Sequence, residues 1–240
     1  MSEVRQRWRL VVARTEAARD RPHRDVQEAW EAALDATSLP FVGPERAMRK
    51  GRLAFAAPVP VGMTAERELL DLSLAGRMTR AAVRAALLAV MPADHVLIDL
   101  FDVWPGEPTL AGQVVAADYR ATIAAPIETE SQSRLLSYDD LIAAAAVLLG
   151  SRTIERNREK GDGRVAIDIR PHILGLRVDR RPESGDRTVV EMRLRLGGDQ
   201  GVGRPEEVID ALSVEVGMPL SASVVRERVI LASEVNETGR

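Results

Sequence analysis

Two kinds of hydrophobic pattern follow one another along the chain. Stretches in which every second residue is apolar predict strands, and apolar residues three and four positions apart predict helices. In the first half, strands are predicted at residues 5–15, 53–61, 68–74 and 95–103, with helices at 23–37 and 79–91. In the second half, strands are predicted at 118–125, 163–178, 188–196 and 223–232, with helices at 138–150 and 205–217. Both halves follow the order β-α-β-β-α-β.

This repeated order predicts an α+β protein made of two tandem ferredoxin-like domains with antiparallel sheets. A stretch with two prolines and two glycines, residues 104–112, separates the two patterns. We therefore expect an N-terminal domain at residues 1–112 and a C-terminal domain at 113–240. In such a domain both helices cover one face of the sheet, so the other face is expected to be open to a partner.

The stretch 163–178 changes its pattern in the middle. Val165, Ile167 and Ile169 predict a buried face with odd numbering, whereas the apolar residues after Pro171 have even numbering. A bulge or bend is therefore expected near residues 171–175. Asp168 and Arg170 lie on the polar face of this strand and could interact, as a binding surface or as an exposed ion pair.

Local signals mark the ends of several helices. Thr79 and Ser137 are predicted N-caps, and Pro205 is expected in the first turn of the last predicted helix. The helical spacing places Trp30 in the core. Trp8, which stands among arginines on the first strand, is expected at the surface.

Composition and charge limit the possible functions. The chain has 240 residues, of which 45% are hydrophobic and 29% charged, a net charge of −3 and no cysteine. Disulfides, thiolate zinc sites and cysteine-ligated iron–sulfur clusters are therefore excluded, and we expect no cofactor in this chain. No apolar run reaches the ~20 residues that span a bilayer, and no signal peptide is recognisable, so we expect a cytoplasmic protein without membrane contact.

Nucleic-acid binding would need a local basic patch, because the net charge is negative. The densest basic run is residues 46–52, with Arg46, Arg49, Lys50 and Arg52, and it is a candidate for phosphate binding or else a solvated loop. Residues 152–164 are a weaker candidate because acids are mixed in. The glycine-rich loop at 197–207 opens a helix beside Arg204, but Glu206 and Glu207 already complement the helix dipole, which favours a plain turn.

His23 stands at the start of the first helix, two residues before Asp25. A histidine at such a position is usually a cap or a surface residue. The acid and the histidine could instead serve proton transfer, and only their geometry can decide between the two.

Several blocks of the sequence match the motifs of one bacterial family in their order and spacing. Its Ser-His-Leu-Asp-Leu block and its Leu-Pro are matched by His23, Asp25 and Leu39-Pro40, and its Ser-Phe-Gly-Pro-x-Leu-Pro-Leu-Gly block by Phe55, Pro60 and Gly62. Its Glu-Tyr-Leu-Asp strand is echoed at residues 68–71. In the second half the matches are Asp168, Arg170, Pro171, the Arg-Pro-Glu-Glu at 204–207, and Arg226. In these blocks the chain resembles the radical-SAM-linked proteins, a bacterial family of unknown function whose members often follow or are fused to a radical SAM domain.

The resemblance implies an association with a radical SAM enzyme. It also favours a functional role for the Asp168 and Arg170 face. One block departs from the family, because its Ser-Gln-Gly-Phe segment is replaced by residues 42–51.

Three functions follow as hypotheses. The first is a non-catalytic accessory module that recruits RNA or a ribonucleoprotein for a radical SAM protein encoded nearby. The second is a metal-independent RNA-processing endonuclease with His23 as base and Arg52 or Lys50 stabilising the developing charge. The third is a protein–protein scaffold.

Overall fold

A computed structural model describes residues 4–41, 52–124, 136–160, 163–181, 187–197 and 201–237. The strands are β1 (Gln6–Arg14), β2 (Leu53–Phe55), β3 (Thr64–Leu74), β4 (His95–Val103), β5 (Val114–Ile123), β6 (Glu155–Lys160), β7 (Gly163–Asp168), β8 (Ile173–Arg181), β9 (Arg187–Arg195) and β10 (Ala222–Leu231). The helices are α1 (His23–Asp35), α2 (Arg80–Leu88), α3 (Leu110–Gln113), α4 (Tyr138–Gly150), α5 (Pro205–Val216) and α6 (Ala232–Glu237). Short 3-10 turns form at Glu16–Ala18 and Arg170–His172.

The chain divides into two compact units. The first unit comprises Met1–Val114 and Arg226–Arg240, and the second comprises Val115–Val225. The predicted boundary after residue 112 lies two residues before the end of the first segment. The last segment, which the prediction placed in the C-terminal domain, belongs to the first unit.

In the first unit, β1 pairs antiparallel with both β3 and β4, and β2 pairs antiparallel with β3. β10 lies beside β3. The even-numbered residues of β1 and β3 form a core with α1 and α2 that includes Leu10, Trp30 and Leu72. Trp30 is in the core as predicted, but the expectation for Trp8 is wrong, since only 4% of this residue is exposed.

The mixed α+β class and the antiparallel pairing agree with the prediction. The ferredoxin-like assignment stays a prediction.

The second face of this sheet is covered where the connector after β4 crosses it. Arg7 donates to the backbone carbonyls of Trp104, Glu107 and Pro108, and Arg9 forms two hydrogen bonds with Asp71. Arg7, Arg9 and Asp71 are all buried. The expectation of an open face is therefore wrong at this position, because the connector supplies carbonyl acceptors for Arg7 and covers it.

In the second unit, β9 pairs antiparallel with β5 and β8, and β6 and β7 form a separate hairpin. The single strand predicted at 163–178 is two strands, and the predicted bend is confirmed by the turn Arg170–His172 and by a register shift between Ile173 and Gly175. The prediction of a buried Val165 is wrong, since this residue is 46% exposed on the hairpin. The hairpin also accounts for residues 155–160, for which no strand was predicted.

Local helix signals match the structure closely. Thr79 accepts a hydrogen bond from the amide of Ala82, and Ser137 and Asp140 form a reciprocal capping box at the start of α4. Pro205 is the first residue of α5, which ends at Val216 and is followed by the cap residue Gly217 with φ +73°. No helix among the residues that the structure describes combines the length and apolar character needed to cross a membrane.

Candidate functional site

Five side chains of the first unit form what we call the His23 cluster: Arg14, His23, Phe55, Glu68 and Arg226. His23 is the first residue of α1, after an extended Pro22. Its ring meets Phe55 of β2 edge-on, with 4.9 Å between the ring centroids. The imidazole is half-buried and therefore keeps some access to solvent.

The His23 cluster contains a buried ion pair. Arg226 of β10 is fully buried, and its Nε donates to Glu68 Oε1 at 2.6 Å while a terminal nitrogen bonds the other carboxylate oxygen. The same guanidinium donates to the carbonyls of Ala57 and Pro58. Burial of both charges requires this fork-to-fork geometry, because an unpaired charge in the core is strongly unfavourable.

Arg14 brings a second buried guanidinium to the cluster. It lies at the end of β1 and donates to the carbonyls of Ala18, Arg19, Arg21 and Val59 at 2.6 to 3.3 Å. These bonds hold the 3-10 turn after β1 and the segment before β3 against the sheet. Burial lowers the pKa of Arg14, partly offset by Glu68.

The surroundings keep His23 neutral over a wider pH range than a free histidine. Burial lowers the pKa of His23, the positive charges of Arg14 and Arg226 lower it further, and Glu68 raises it. The net shift is downward from the ordinary value of 6.5. At neutral pH the ring can therefore accept a proton or a hydrogen bond at one nitrogen and donate at the other.

A second histidine lies nearby in the same unit. His95 Nδ1 is 2.8 Å from Asp94 Oδ1, Arg21 also bonds Asp94, and the His95 ring meets Trp30 edge-on. Burial lowers the pKa of His95, against the effect of Asp94. For Asp94, burial alone would raise the pKa, but the hydrogen bonds from Arg21 and His95 lower it. Because His95 and Asp94 are both buried, this arrangement supports the fold.

The structure does not bring the other predicted partners to His23. Asp25 is exposed, two residues along the same helix, and positions two apart do not face each other. Arg52 is buried against the other end of α1, where it bonds Asp35 at 2.6 Å and stacks over Phe41. His23 and Asp35 are separated by roughly 18 Å of helix. Arg46, Arg49 and Lys50 lie outside the described residues.

In the second unit, Asp168 and Arg170 build a corner in the backbone. Asp168 accepts hydrogen bonds from the amides of Ile154 and Arg170 at 2.7 and 3.0 Å. The Arg170 guanidinium donates to the carbonyls of Leu149 and Ile173. Both side chains thus bond backbone groups. These hydrogen bonds give the Asp-Ile-Arg-Pro sequence a structural role in holding the corner.

Arg204 is the exposed N-cap residue of α5, and its side chain makes no capping bond. Glu207 in the first turn binds Arg158 through both oxygens at 2.7 Å. The glycines before it pack on His172: a Cβ at Gly201, where φ is +88°, would lie 2.9 Å from the His172 ring. In the described part of this loop, residues 201–207, Gly201 and Gly203 thus pack closely on His172, and the interpretation as a plain turn stays a prediction.

Sequence reasoning missed Arg14 and did not assign a site role to Glu68, although the pattern contains a signal. Trp8, Leu10 and Val12 alternate into the core, and Arg14 is the next member of that series. Glu68 likewise precedes Leu70, Leu72 and Leu74 on the buried side of β3. A charge in a core-facing series predicts a buried ion pair or hydrogen-bond network.

Within the described ranges, no three His, Asp or Glu side chains are grouped so that they could hold a metal ion.

Comparison with solved structures shows a likeness of fold. The chain resembles one in the crystal structure of a Cbf5-Nop10-Gar1 complex, with a TM-score of 0.50 and 9% sequence identity, over 91% of this chain. It spans about half, 48%, of that longer chain. A protein described as a glycine cleavage system transcriptional repressor aligns over 94% of this chain and 98% of its own, at 11% identity, but its TM-score of 0.23 does not support a shared fold.

Among proteins with curated descriptions, none matches this chain. One family does match, and it covers residues 7–205, which include most of β1, every member of the His23 cluster except Arg226, and the Asp168 corner. The chain therefore belongs to the family described as uncharacterized protein conserved in bacteria (DUF2344).

Proposed function

We propose that this chain is a non-catalytic accessory module that works with a radical SAM enzyme and recruits its substrate, an RNA or a ribonucleoprotein. The motif resemblance to radical-SAM-linked proteins supports the choice of partner. Because the sequence has no cysteine, thiolates for an iron–sulfur cluster would come from that partner. Tandem ferredoxin-like domains are part of the same proposal.

The observation that carries the docking role is the exposed edge of the first unit. β4 is the terminal strand in the order β4-β1-β3 of the described strands. Its apolar residues Val96, Ile98 and Phe101 are 48%, 43% and 41% exposed, and Trp104 just after it is 71% exposed. An edge strand with unpaired backbone groups and exposed apolar side chains is suited to pairing with a strand from another protein.

The acidic residues of β4 do not block such pairing. Asp99 is bonded by Arg80, and Asp102 accepts from Gln6. Both carboxylates are thus held by hydrogen bonds from side chains of the same unit. We expect the partner to supply an extended segment with apolar side chains, which would cover Phe101 and its neighbours.

The test uses a radical SAM protein, the partner that the proposal expects to be encoded nearby. Both proteins are purified anaerobically and their affinity is measured by titration calorimetry. Phe101→Asp should weaken binding by about tenfold or more, because it places a charge in the contact. Val61→Asp is the matched control, since Val61 is 57% exposed in the same unit and is not part of β4. No binding by the wild-type protein would overturn the proposal.

The RNA part has its own test. Binding to total cellular RNA is measured at low and moderate salt, for the wild type and for Arg46→Glu/Arg49→Glu/Lys50→Glu. We expect salt-sensitive binding that the triple variant reduces, because phosphate contacts release counterions. Arg24→Glu/Arg67→Glu/Arg77→Glu, at exposed positions, should retain more binding. Absence of salt-sensitive binding would remove RNA from the proposal.

A second candidate function is metal-independent RNA cleavage with His23 as the base. The half-buried, neutral imidazole of His23 favours it, because a general base must be unprotonated at the working pH. Arg52 is bound to Asp35 at the far end of α1 and is a poor choice for stabilising charge there. Wild type and His23→Ala are incubated with structured RNAs: cleavage only by the wild type supports this function, and no cleavage by either excludes it.

A further inference from the structure

α4 of the second unit carries an unusual apolar surface. From Leu141 to its end at Gly150, the helix has the sequence LIAAAAVLLG, without one polar side chain. Leu141, Ala144, Ala145 and Leu148 face the core. A helix that is apolar all round is normally buried all round, so the outer side of α4 needs an explanation.

The outer side of α4 is exposed along its whole length. Ile142, Val147 and Leu149 are 42%, 50% and 36% exposed, and Ala143 and Ala146 are exposed as well. At 1.5 Å per residue the helix is ~20 Å long. We call these five residues, together with Gly150, the α4 face. It is a continuous apolar strip of the kind that marks a protein-binding surface.

The residue sizes on the α4 face suit another helix. Ala143, Ala146 and Gly150 lie on one row, at spacings of three and four, so a second helix backbone can approach closely. The larger Ile142, Val147 and Leu149 flank this row. Ala146 is in the middle of the strip, so an antiparallel partner centred there would place Ile142 opposite Gly150 and Ala143 opposite Leu149, a large residue against a small one each time.

The charges at the two ends of α4 are opposite. Asp139 is exposed in the first turn, and Arg152 is exposed just after the last turn. Two copies of the helix packed antiparallel around Ala146 would bring Asp139 of each copy to the end where Arg152 of the other lies. Parallel packing would bring like charges together. The helix dipoles also favour the antiparallel arrangement.

We propose that the α4 face binds the α4 face of a second copy of this chain, with the two helices antiparallel and related by a two-fold axis near Ala146. The contact is isologous, so it closes as a dimer and does not extend into a filament. This inference does not depend on the proposed function, because it concerns a different unit and a different surface.

The size of the contact sets the expected strength. One helix pair covers less than the ~1,600 Å² of a standard interface. We therefore expect a reversible dimer that forms with rising concentration, which sedimentation velocity of the full chain can measure between about 1 and 200 µM. The weight-average mass should move from the monomer toward twice that value.

The variants test the geometry. Ala146→Arg places two charges on the two-fold axis and should keep the protein monomeric at all concentrations. Ala85→Arg is the matched control, an exposed alanine within α2, and should dimerise like the wild type. Asp139→Arg and Arg152→Asp should each weaken the dimer, and the double variant should restore it, since the opposite charges then meet again.

Circular dichroism checks that each variant is folded. If Ala146→Arg is unfolded, the test rests on Asp139→Arg, Arg152→Asp and the double variant alone. A wild type that stays monomeric throughout would overturn the proposal. A dimer that Ala146→Arg leaves intact, or that the double swap fails to restore, would also overturn it.

Discussion

The two units use charged side chains in opposite ways. In the His23 cluster, the charges of Arg226 and Glu68 are directed at each other inside the core. In the corner of the second unit, Asp168 and Arg170 are half-buried and each bonds backbone groups. Both places match blocks of the same family resemblance, and in the first one burial together with the charges of Arg14 and Arg226 lowers the pKa of the half-buried His23.

In this chain, the degree of burial decides how much stability a charged side chain controls. A buried cation depends on one carboxylate for its neutralisation, so the loss of that partner is severe. A half-buried side chain that bonds the backbone can be replaced by water in part. Four predictions test this contrast.

The largest effect is expected for Glu68→Ala. It leaves the fully buried Arg226 without its carboxylate, and the free energy of unfolding should fall by about 3–5 kcal/mol. Urea denaturation measures the change. Glu66→Ala, at an exposed position of the same strand, should change stability by less than about 0.5 kcal/mol. A loss below about 1 kcal/mol for Glu68→Ala would contradict the interpretation of the pair.

A smaller effect is expected for Asp168→Ala. Two backbone amides lose their acceptor, and the unfolding free energy should fall by about 1–2 kcal/mol. Asp168→Asn keeps an acceptor oxygen and should lose less than half of that amount. Asp210→Ala, at an exposed position of α5, is the control. Equal losses for the alanine and asparagine variants would show that the corner depends on charge.

The pH dependence of His23 should be smaller still. Because its pKa is lowered in the folded state by burial, Arg14 and Arg226, the unfolded chain binds the proton more readily. The stability gained from the neutral ring is complete above the unfolded-state value near 6.5 and is lost as the pH falls through the folded-state pKa. His23→Gln should therefore flatten the decline of the urea midpoint below pH 6.5.

The titration itself can be followed by NMR. The His23 midpoint should lie below 6.5, and Glu68→Gln should lower it further, because Glu68 raises the pKa of His23. A midpoint at or above the ordinary value would show that the two arginines do not act on the ring.

The smallest effect is expected for Val165→Thr. Val165 is 46% exposed on the hairpin, so the added hydroxyl remains in water and stability should change by less than about 0.5 kcal/mol. Val189→Thr, at a fully buried position of β9, should cost about 1–3 kcal/mol. Equal costs, measured by thermal and urea unfolding, would contradict the exposed position of the hairpin.

Features of the fold that depend on neighbouring residues could be predicted from the sequence, whereas features that depend on distant residues could not. Helix ends at Thr79, Ser137 and Pro205 depend on neighbouring residues, so local patterns predict them. Trp8 is different: it alternates with Leu10 and Val12 into the core, but Arg7 beside it suggests a solvent-exposed strand, and Arg7 is covered by a connector about a hundred residues away. A local pattern of alternating arginines and apolar residues cannot show that cover.

The same limit applies to the candidate site. His23 was predicted from its position before a helix, and the geometry adds Phe55 and the two buried arginines around it. Arg52 was predicted as part of a basic run, but Asp35 and Phe41 occupy it. Arg52 meets Asp35 because the chain just before β2 lies beside the end of α1 in the folded protein. This is a tertiary contact, which a local sequence pattern does not contain.

Glu68 and Arg226 are separated by 158 residues of chain. During synthesis on the ribosome, most of the polypeptide must therefore emerge before the N-terminal sheet can receive the strand that neutralises its buried carboxylate. Contacts between residues so distant in sequence close slowly, so a nascent chain stopped short of Arg226 should remain sensitive to proteases until translation is complete.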